Sequence, residues 1–254
     1  MDLSVPSATL AALLLGSARA TGFVVLAPPF NNNAIPKAVK GALALALSLV
    51  VFPHLSADMP AVTAGFLVVA AITEAVIGAA LGFVVQVLFT AVQMAGDIID
   101  VAGGFSLQPA YDPMSLTMSS SIGRLHYLLA TTLLFTSGGH LLLVRGFVTS
   151  YEGLPVGGMI DTAQLGQAMM TALAMMFLAA LQIAGPMVAV LLLADVALAL
   201  LSKAAPALNI FALGFPVKIM LTLALLGLTF PLLPTALDAL LDTAVSAMTA
   251  FRSG

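Results

Sequence analysis

The ionisable side chains of this sequence are few, and most of those that could do chemistry interrupt apolar segments. Arg19, Glu74, Asp195 and Lys218 each lie inside such a segment. A charge inside a lipid-embedded helix usually pairs with another charge or marks a functional path. Asp195 and Lys218 lie seven and nine residues from the two ends of a polar turn, residues 202–209, so they could face each other across a helical hairpin. The chemistry predicted here is therefore ion pairing and helix orientation.

For three of these charges a second interpretation is open. Arg19 either extends toward a lipid head-group region or faces a partner helix and pairs there. Lys218 lies within the first turns of its segment, so it could also extend to the interface. Glu74 is either a pairing site or a residue at a helix start just inside the interface.

No spacing in the sequence points to catalysis. A nucleophile–base pair, a glycine-rich phosphate loop and a metal-ligand cluster are all missing from the pattern. His126 and His140 are 14 residues apart, which on one continuous helix separates them by about 21 Å and excludes a shared metal. The sequence has no cysteine, so it has no disulfide or thiolate site. We therefore expect no enzyme activity, no metal and no cofactor.

The composition indicates a protein that lives in lipid. Of 254 residues, 61% are hydrophobic and 7% are charged, whereas soluble domains carry about 25% charged residues. The mean hydropathy is +1.14. The net charge of −3 is small and scattered, which does not suggest nucleic-acid binding. An integral membrane protein, or part of a lipid-embedded complex, is the predicted class.

The elements that must position these charges are apolar helices. Six apolar segments can be drawn, most of them near or above the roughly 20 residues that cross a bilayer: residues 7–28, 38–55, 64–94, 125–144, 165–201 and 210–233. An amphipathic tail follows to residue 252. Pro186 is expected to kink or break the fifth segment. The predicted fold is all-α, a polytopic membrane-type bundle of long, partly broken helical hairpins with an irregular central loop.

One stretch, residues 95–124, cannot span lipid as the others can. It reads AGDIIDVAGGFSLQPAYDPMSLTMSSSIGR. Gly103 and Gly104 free the backbone and are expected to end the helix that carries Asp97, and two prolines then block helix re-formation. Irregular backbone is tolerated at membrane depth only inside protein or beside water. The stretch is therefore either an ordinary hydrophilic loop or a re-entrant plug that lines a pore.

Several motifs in order resemble one known family over nearly the whole chain. They are LAPPF with IPKAVKGALALALSLVVFP, then EAVIGAALGFV, then AGDIIDVAGGFS with YDP, then GGHLLLVRGFVTSYEGLPVG, and finally LNIFALGFPVKI. This order is similar to the FliR family of flagellar type III export-gate proteins and to its SctT-like injectisome counterparts. The last motif and the segment from GGH to SYEGLP are the more specific ones.

The resemblance implies a role in a membrane assembly. Members form a gate with FliP-like and FliQ-like subunits, contact an FlhB-like subunit, and pass unfolded proteins across the bacterial inner membrane at the flagellar basal body. Much of such a gate can sit above the bilayer plane. The family also implies that the loop over residues 103–121 projects into the pore and helps to close it, with plug or gating residues Gly103, Gly104, Phe105, Tyr111, Asp112, Pro113 and Met114. The charges expected to orient helices in the assembly are Arg19, Glu74, Asp97, Asp195 and Lys218.

The resemblance further implies a two-part chain: a FliP-like part over residues 1–164 that includes the loop, and a FliQ-like hairpin and tail over residues 165–254. Two alternatives are open. The chain could serve a virulence injectisome, or it could be a small-solute transporter or channel. A transporter should show inverted repeats with paired broken helices, and the sequence shows no convincing repeat.

Overall fold

The computed structural model describes residues 7–32, 34–57, 63–105, 120–158, 161–206 and 210–250. All regular elements in these ranges are helical, which confirms the prediction of an all-α fold. The helices are α1 (Ser7–Leu26), α2 (Lys37–Ala57), α3 (Ala64–Gly103), α4 (Ser121–Thr136), α5 (Gly139–Gly153), α6 (Thr162–Ala204), α7 (Ile210–Leu225) and α8 (Leu232–Ala250), with a 3-10 turn at Leu226–Leu228.

Fewer helices could cross a membrane than the sequence suggested. Within the described ranges, three are long and apolar enough by length and composition: Ala8–Leu26, Ala64–Gly103 and Ala163–Ala204. Two pairs, α4 with α5 and α7 with α8, pass the same test only when each pair is counted as one broken span, which gives up to five. By length and composition, the residues that the structure describes therefore provide at most five spans where the sequence predicts six segments.

One local expectation is wrong, and one alternative of a second is excluded. The segment over residues 125–144 is not one helix, because α4 ends at Thr136 and α5 begins at Gly139. Gly138 between them has φ +77°, a left-handed conformation that glycine adopts without a steric penalty. Pro186 lies inside α6 without ending it, so of the two expected effects the break is absent, and the kink stays a prediction.

The chain packs as two compact units that are interleaved in sequence. The first consists of Met1–Leu88, Gly138–Leu173 and Leu241–Gly254, and the second of Phe89–Ser137 and Ala174–Leu240. Helices α3 and α6 each contribute residues to both units. Neither unit is a continuous stretch of sequence.

In the first unit, α1 packs closely on α3 through glycines. A side chain at Gly78 would overlap the Arg19 carbonyl, and a Cβ at Gly82 would lie 2.8 Å from the Phe23 carbonyl oxygen. The small-residue pattern formed by Gly78 and Gly82 thus marks a real helix contact, as such patterns do in membrane proteins. The Phe23 ring lies 5.0 Å from the Phe147 ring of α5, so α5 completes this core.

In the second unit, the last part of α3 packs on α4. A Cβ at Gly96 would lie 2.6 Å from the Gly123 Cα, which means that the two backbones touch. Nearer the middle of α3, the Phe89 ring meets the Tyr127 ring of α4 edge to face, with the ring centroids 6.4 Å apart. These two helices enter and leave the central loop, so their contact determines where the loop begins and ends.

Candidate functional site

The two ends of the central loop are fastened together. Helix α3 ends at Gly103, and Ser120 caps α4 by accepting the Gly123 N–H at 2.8 Å. One turn before the end of α3, the Asp100 carboxylate accepts the Ile122 N–H at 3.3 Å. Both bonds occupy N–H groups that a helix start leaves without a partner. We call this region, residues 96–104 with residues 120–126, the loop base.

Close backbone packing adds to these hydrogen bonds at the loop base. A side chain at Gly123 would overlap the Asp97 carboxylate. Asp97 is half-buried and hydrogen-bonded with Ser120. The predicted role of Asp97 in facing neighbours thus has a concrete partner within the chain: it lies against the start of α4.

Helix α7 supports the end of α3. A Cβ at Gly103 would lie 2.5 Å from the Thr222 Oγ1, and a Cβ at Gly104 would lie 3.4 Å from the Phe215 Cδ1. Gly104 has φ +84°, a conformation that other residues rarely adopt. Thr222 is fully buried, and within the described part of the chain its hydroxyl has no hydrogen-bond partner. Gly103 therefore lies where α7 leaves no room for a side chain, and Gly104 provides the positive φ that follows the end of the helix.

A buried histidine connects the loop base to the end of the 3-10 turn. His126 is fully buried on α4. Its Nδ1 lies 3.0 Å from the Ile122 carbonyl oxygen and its Nε2 lies 3.2 Å from the Thr229 Oγ1. The imidazole thus joins the first turn of α4 to the residue that follows Leu226–Leu228.

The predicted plug residues are only partly described. Gly103 and Gly104 lie at the loop base, and the half-buried Phe105 follows directly after it. Tyr111, Asp112, Pro113 and Met114 lie outside the described residues, so their part in closing a pore stays a prediction.

The first unit contains a buried ion pair. The Arg19 Nε lies 2.6 Å from the Glu74 Oε2, and neither side chain is exposed. A second bond joins the Arg19 Nη2 to the Glu74 Oε1 at 3.1 Å, so the contact is bidentate, the strong form of an arginine–carboxylate pair. Of the two interpretations of Arg19, pairing is the one observed, and its partner is within the same chain.

Helix α5 and the residues after it complete the surroundings of this pair. The Arg19 Nη2 donates to the Leu154 carbonyl at 2.9 Å, and its guanidinium lies 3.8 Å from the centroid of the Tyr151 ring, a cation–π geometry. The Glu74 Oε1 also accepts the Gly157 N–H at 3.4 Å. The pair therefore ties α1 and α3 to α5, and its buried charges are well supplied with partners.

The structure brings Asp195 and Lys218 together as the hairpin argument predicted. The Lys218 Nζ lies 2.8 Å from the Asp195 Oδ1. This pair differs from the first because the Asp195 side chain is 49% exposed and that of Lys218 is 15% exposed. It lies on α6 and α7, among exposed apolar side chains such as Leu192, Val196 and Val217.

Sequence reasoning missed five residues that complete these sites: Ser120, His126, Tyr151, Thr222 and Thr229. They are polar or aromatic residues whose roles only their contacts reveal. Gly96 and Gly123 are a signal that could have indicated the loop base, because they mark where α3 and α4 touch. No group of three or more potential metal ligands occurs among the described residues.

The comparison with known protein families decides the assignment. The family described as "Bacterial export proteins, family 1" matches residues 10–244. This chain belongs to that family. The match spans both units and the loop base, and it confirms the resemblance to FliR proteins that the motifs suggested.

Named relatives of this export family are similar along most of their length. The flagellar biosynthetic protein FliR of Escherichia coli K12 is 34% identical over 215 residues, covering 85% of this chain and 82% of the relative. FliR of Pectobacterium carotovorum is 30% identical over 216 residues, covering 85% and 83%. The surface presentation of antigens protein SpaR of Salmonella typhimurium is 28% identical over 225 residues, covering 88% and 85%.

Proposed function

We propose that this chain is a subunit of the export gate through which a flagellar type III secretion system moves unfolded proteins across the bacterial inner membrane. The observation that carries the proposal is the loop base: a polar loop whose ends are fastened at Asp100 and Ser120, in a chain of a bacterial export family. Such a loop can close a pore without being part of the helical wall.

The loop base suits a movable plug. A plug must be held where it leaves the wall and be free to turn beyond that point. The bonds at Ser120 and Asp100 hold it, and the glycine pair at 103–104 allows the backbone to turn. In the proposed closed state the apolar side chains of Phe105, Tyr111 and Met114 exclude water and ions, as hydrophobic constrictions do in channels.

The length of two helices supports the presence of protein partners. Helix α3 has 40 residues and α6 has 43, which at 1.5 Å per residue is about 60 Å, twice the hydrocarbon thickness of a bilayer. Only 22% of the apolar window of α6 is buried within the chain. A helix of this length that crosses the bilayer has apolar surface that lipid cannot cover. We propose that FliP-like, FliQ-like and FlhB-like subunits cover it.

The two charged pairs have different roles in the proposed assembly. Arg19 and Glu74 are buried against each other, so in our proposal they orient α1 and α3 for assembly without touching a partner. The half-exposed Asp195, held by Lys218, is the charge that we place against a neighbouring subunit. We also propose the division into a FliP-like part over residues 1–164 and a FliQ-like part over residues 165–254, which separates near the start of α6.

A role in a virulence injectisome is the second candidate, favoured by the similarity to SpaR. The flagellar role ranks first because FliR of Escherichia coli and FliR of Pectobacterium carotovorum, each at 30% identity or more, are flagellar biosynthetic proteins. Complementation separates the two: the chain should restore motility to a strain that lacks its own FliR and should not restore injectisome secretion to a strain that lacks SpaR.

Deletion of residues 111–119 tests the gate and its plug together. In cells with the rest of the export apparatus, we expect the deletion to raise ion leak or lower the membrane potential while the complex still assembles. A matched pair refines the test: Tyr111→Ser with Met114→Ser should leak, whereas Ser115→Ala with Thr117→Ala should not. Unchanged leak together with failed assembly would instead make the loop a structural element.

A further inference from the structure

Gln182 is an exposed polar residue within the long apolar helix α6. It lies near the middle of the 43 residues of that helix, and its side chain is exposed. In the part of the chain that the structure describes, the side-chain amide has no hydrogen-bond partner. A primary amide has two donor hydrogens and an acceptor oxygen. Gln182 therefore offers both kinds of hydrogen-bonding group to whatever covers α6.

Pro186 leaves a second polar group of the same residue without its usual partner. In an α-helix, the backbone N–H of each residue donates to the carbonyl four residues earlier. Proline has no backbone N–H, and Pro186 lies inside α6 four residues after Gln182. The Gln182 carbonyl therefore lacks the bond that the helix would otherwise give it. Both residues are exposed, so the amide and this carbonyl belong to one short stretch of exposed helix.

The surface around Gln182 is apolar. Four leucines that precede or follow it on α6 are each more than half exposed: Leu178, Leu181, Leu192 and Leu193. A contiguous apolar surface of this kind marks an interaction site when it faces water. Lipid hydrocarbon would cover the leucines, but it cannot form hydrogen bonds with the amide or the carbonyl. Another protein chain can provide both the apolar cover and the hydrogen bonds.

The helix has room for close approach beside Gln182. Gly185 lies almost one turn further along α6, and a Cβ built there would meet no other part of the chain within 4 Å. By contrast, a side chain at Gly78, in the contact of α1 with α3, would overlap the Arg19 carbonyl. Ala189 follows one turn after Gly185 and is exposed as well. Small residues at such positions let two helix backbones come together in membrane proteins.

The polar group that a partner places against Gln182 should be uncharged. The nearest charged side chain along α6 is Asp195, 13 residues further on, which is about 20 Å of helix. Asp195 is already paired with Lys218 at 2.8 Å. A partner's charge at Gln182 would therefore have no counter-charge on this helix, whereas an amide or a hydroxyl needs none.

We propose that Gln182, Gly185, Pro186 and Ala189 form a docking surface, the α6 contact surface, for an apolar helix of another subunit that carries an asparagine, glutamine, serine or threonine. That side chain donates to the Gln182 carbonyl, which Pro186 deprives of its helical bond, and pairs with the Gln182 amide. Gly185 and Ala189 allow the two backbones to approach. The identity of the partner as a gate subunit rests on the proposed function.

Association of the full chain with co-expressed FliP-like and FliQ-like subunits tests this surface. Gln182→Leu should weaken the association by about threefold to twentyfold, which corresponds to one hydrogen bond between helices in a membrane. Gln167→Leu removes another exposed glutamine of α6, and the residue four positions after it, Thr171, has a backbone N–H. This control should associate as tightly as the unaltered chain.

Pro186→Ala separates a contact between chains from a fault in folding. The alanine N–H restores the helical bond to the Gln182 carbonyl, so the chain alone should resist denaturing detergent better than the unaltered chain, while its association weakens. Gly185→Leu should also weaken association, because the leucine fills the space of the partner helix, and should leave the helix content of the chain alone unchanged.

Two results overturn the proposal, and they differ in what they say about the gate. If Gln182→Leu and Pro186→Ala associate as tightly as the unaltered chain, lipid or water covers the α6 contact surface and only the docking proposal fails. If the unaltered chain forms no complex with the co-expressed subunits, the proposed function fails together with it.

Discussion

Removal of one partner of the buried ion pair should be far more damaging than removal of both. Glu74→Ala leaves the guanidinium of Arg19 without its counter-charge, although the contacts with the Leu154 carbonyl and the Tyr151 ring remain. Both charged side chains are completely buried, so water cannot replace the carboxylate. An uncompensated buried charge of this kind costs about 3–5 kcal/mol of unfolding free energy.

The double replacement Arg19→Met with Glu74→Leu removes both charges and keeps apolar volume. It leaves the Leu154 carbonyl without the Arg19 donor, which costs about 1–3 kcal/mol, but it avoids the buried charge. From the midpoints of these two ranges, we therefore expect the double variant to be about 2 kcal/mol more stable than Glu74→Ala, a non-additive result for two residues in contact.

The assay is the unfolding free energy of the full chain in detergent micelles, followed by helix content as a denaturing detergent is added. The control is Glu152→Ala, which removes an exposed glutamate of α5 and should change stability by less than about 0.5 kcal/mol. If Glu74→Ala costs no more than this control, the ion pair does not hold α1 and α3 together, and the reasoning is refuted.

Three further predictions concern the second unit. Gly103→Ala should destabilise the chain by about 1–3 kcal/mol in the same unfolding titration, because the added Cβ overlaps Thr222. Adding Thr222→Ala to this variant should restore most of the lost stability. If it restores none, Gly103 and Thr222 are not in contact. Gly123→Ala should separate α3 from α4, because a Cβ there meets the Asp97 carboxylate. Cross-linking between cysteines placed at positions 89 and 127, whose rings meet in the native chain, should therefore decrease, whereas Gly166→Ala, at a glycine with open space around it, should cause no change. Lys218→Ala should lower the unfolding free energy by less than about 1 kcal/mol in the same titration, because its pair with Asp195 is partly exposed. A decrease as large as that of Glu74→Ala would instead show that Asp195 is shielded from water.

The contacts that sequence could predict are those between neighbouring elements. Asp195 and Lys218 lie at similar distances from one turn, so a hairpin brings them together whatever else the chain does. The end of α3 at Gly103 and Gly104 could also be predicted, because glycine frees the backbone and residue type alone therefore indicates where the helix ends. The all-α class likewise depended only on apolar segment length.

The contacts that sequence could not predict join distant elements. Arg19 and Glu74 are 55 residues apart, and nothing in the sequence states the register of α1 on α3, although Gly78 marked the place where they meet. His126 was treated as part of one continuous helix with His140. The turn at Gly138 makes that assumption wrong, because hydropathy averages over the short break that a left-handed glycine produces.

The central claim is that this chain is an integral part of a multi-subunit export gate, and co-purification tests it most directly. The full chain, tagged at one end and expressed from its natural position, should be purified from bacterial inner membranes in mild detergent. We expect one stable complex that contains FliP-like and FliQ-like chains and that is lost when any of them is missing. If the chain purifies alone while those subunits assemble into a complete complex without it, the chain is not part of the gate.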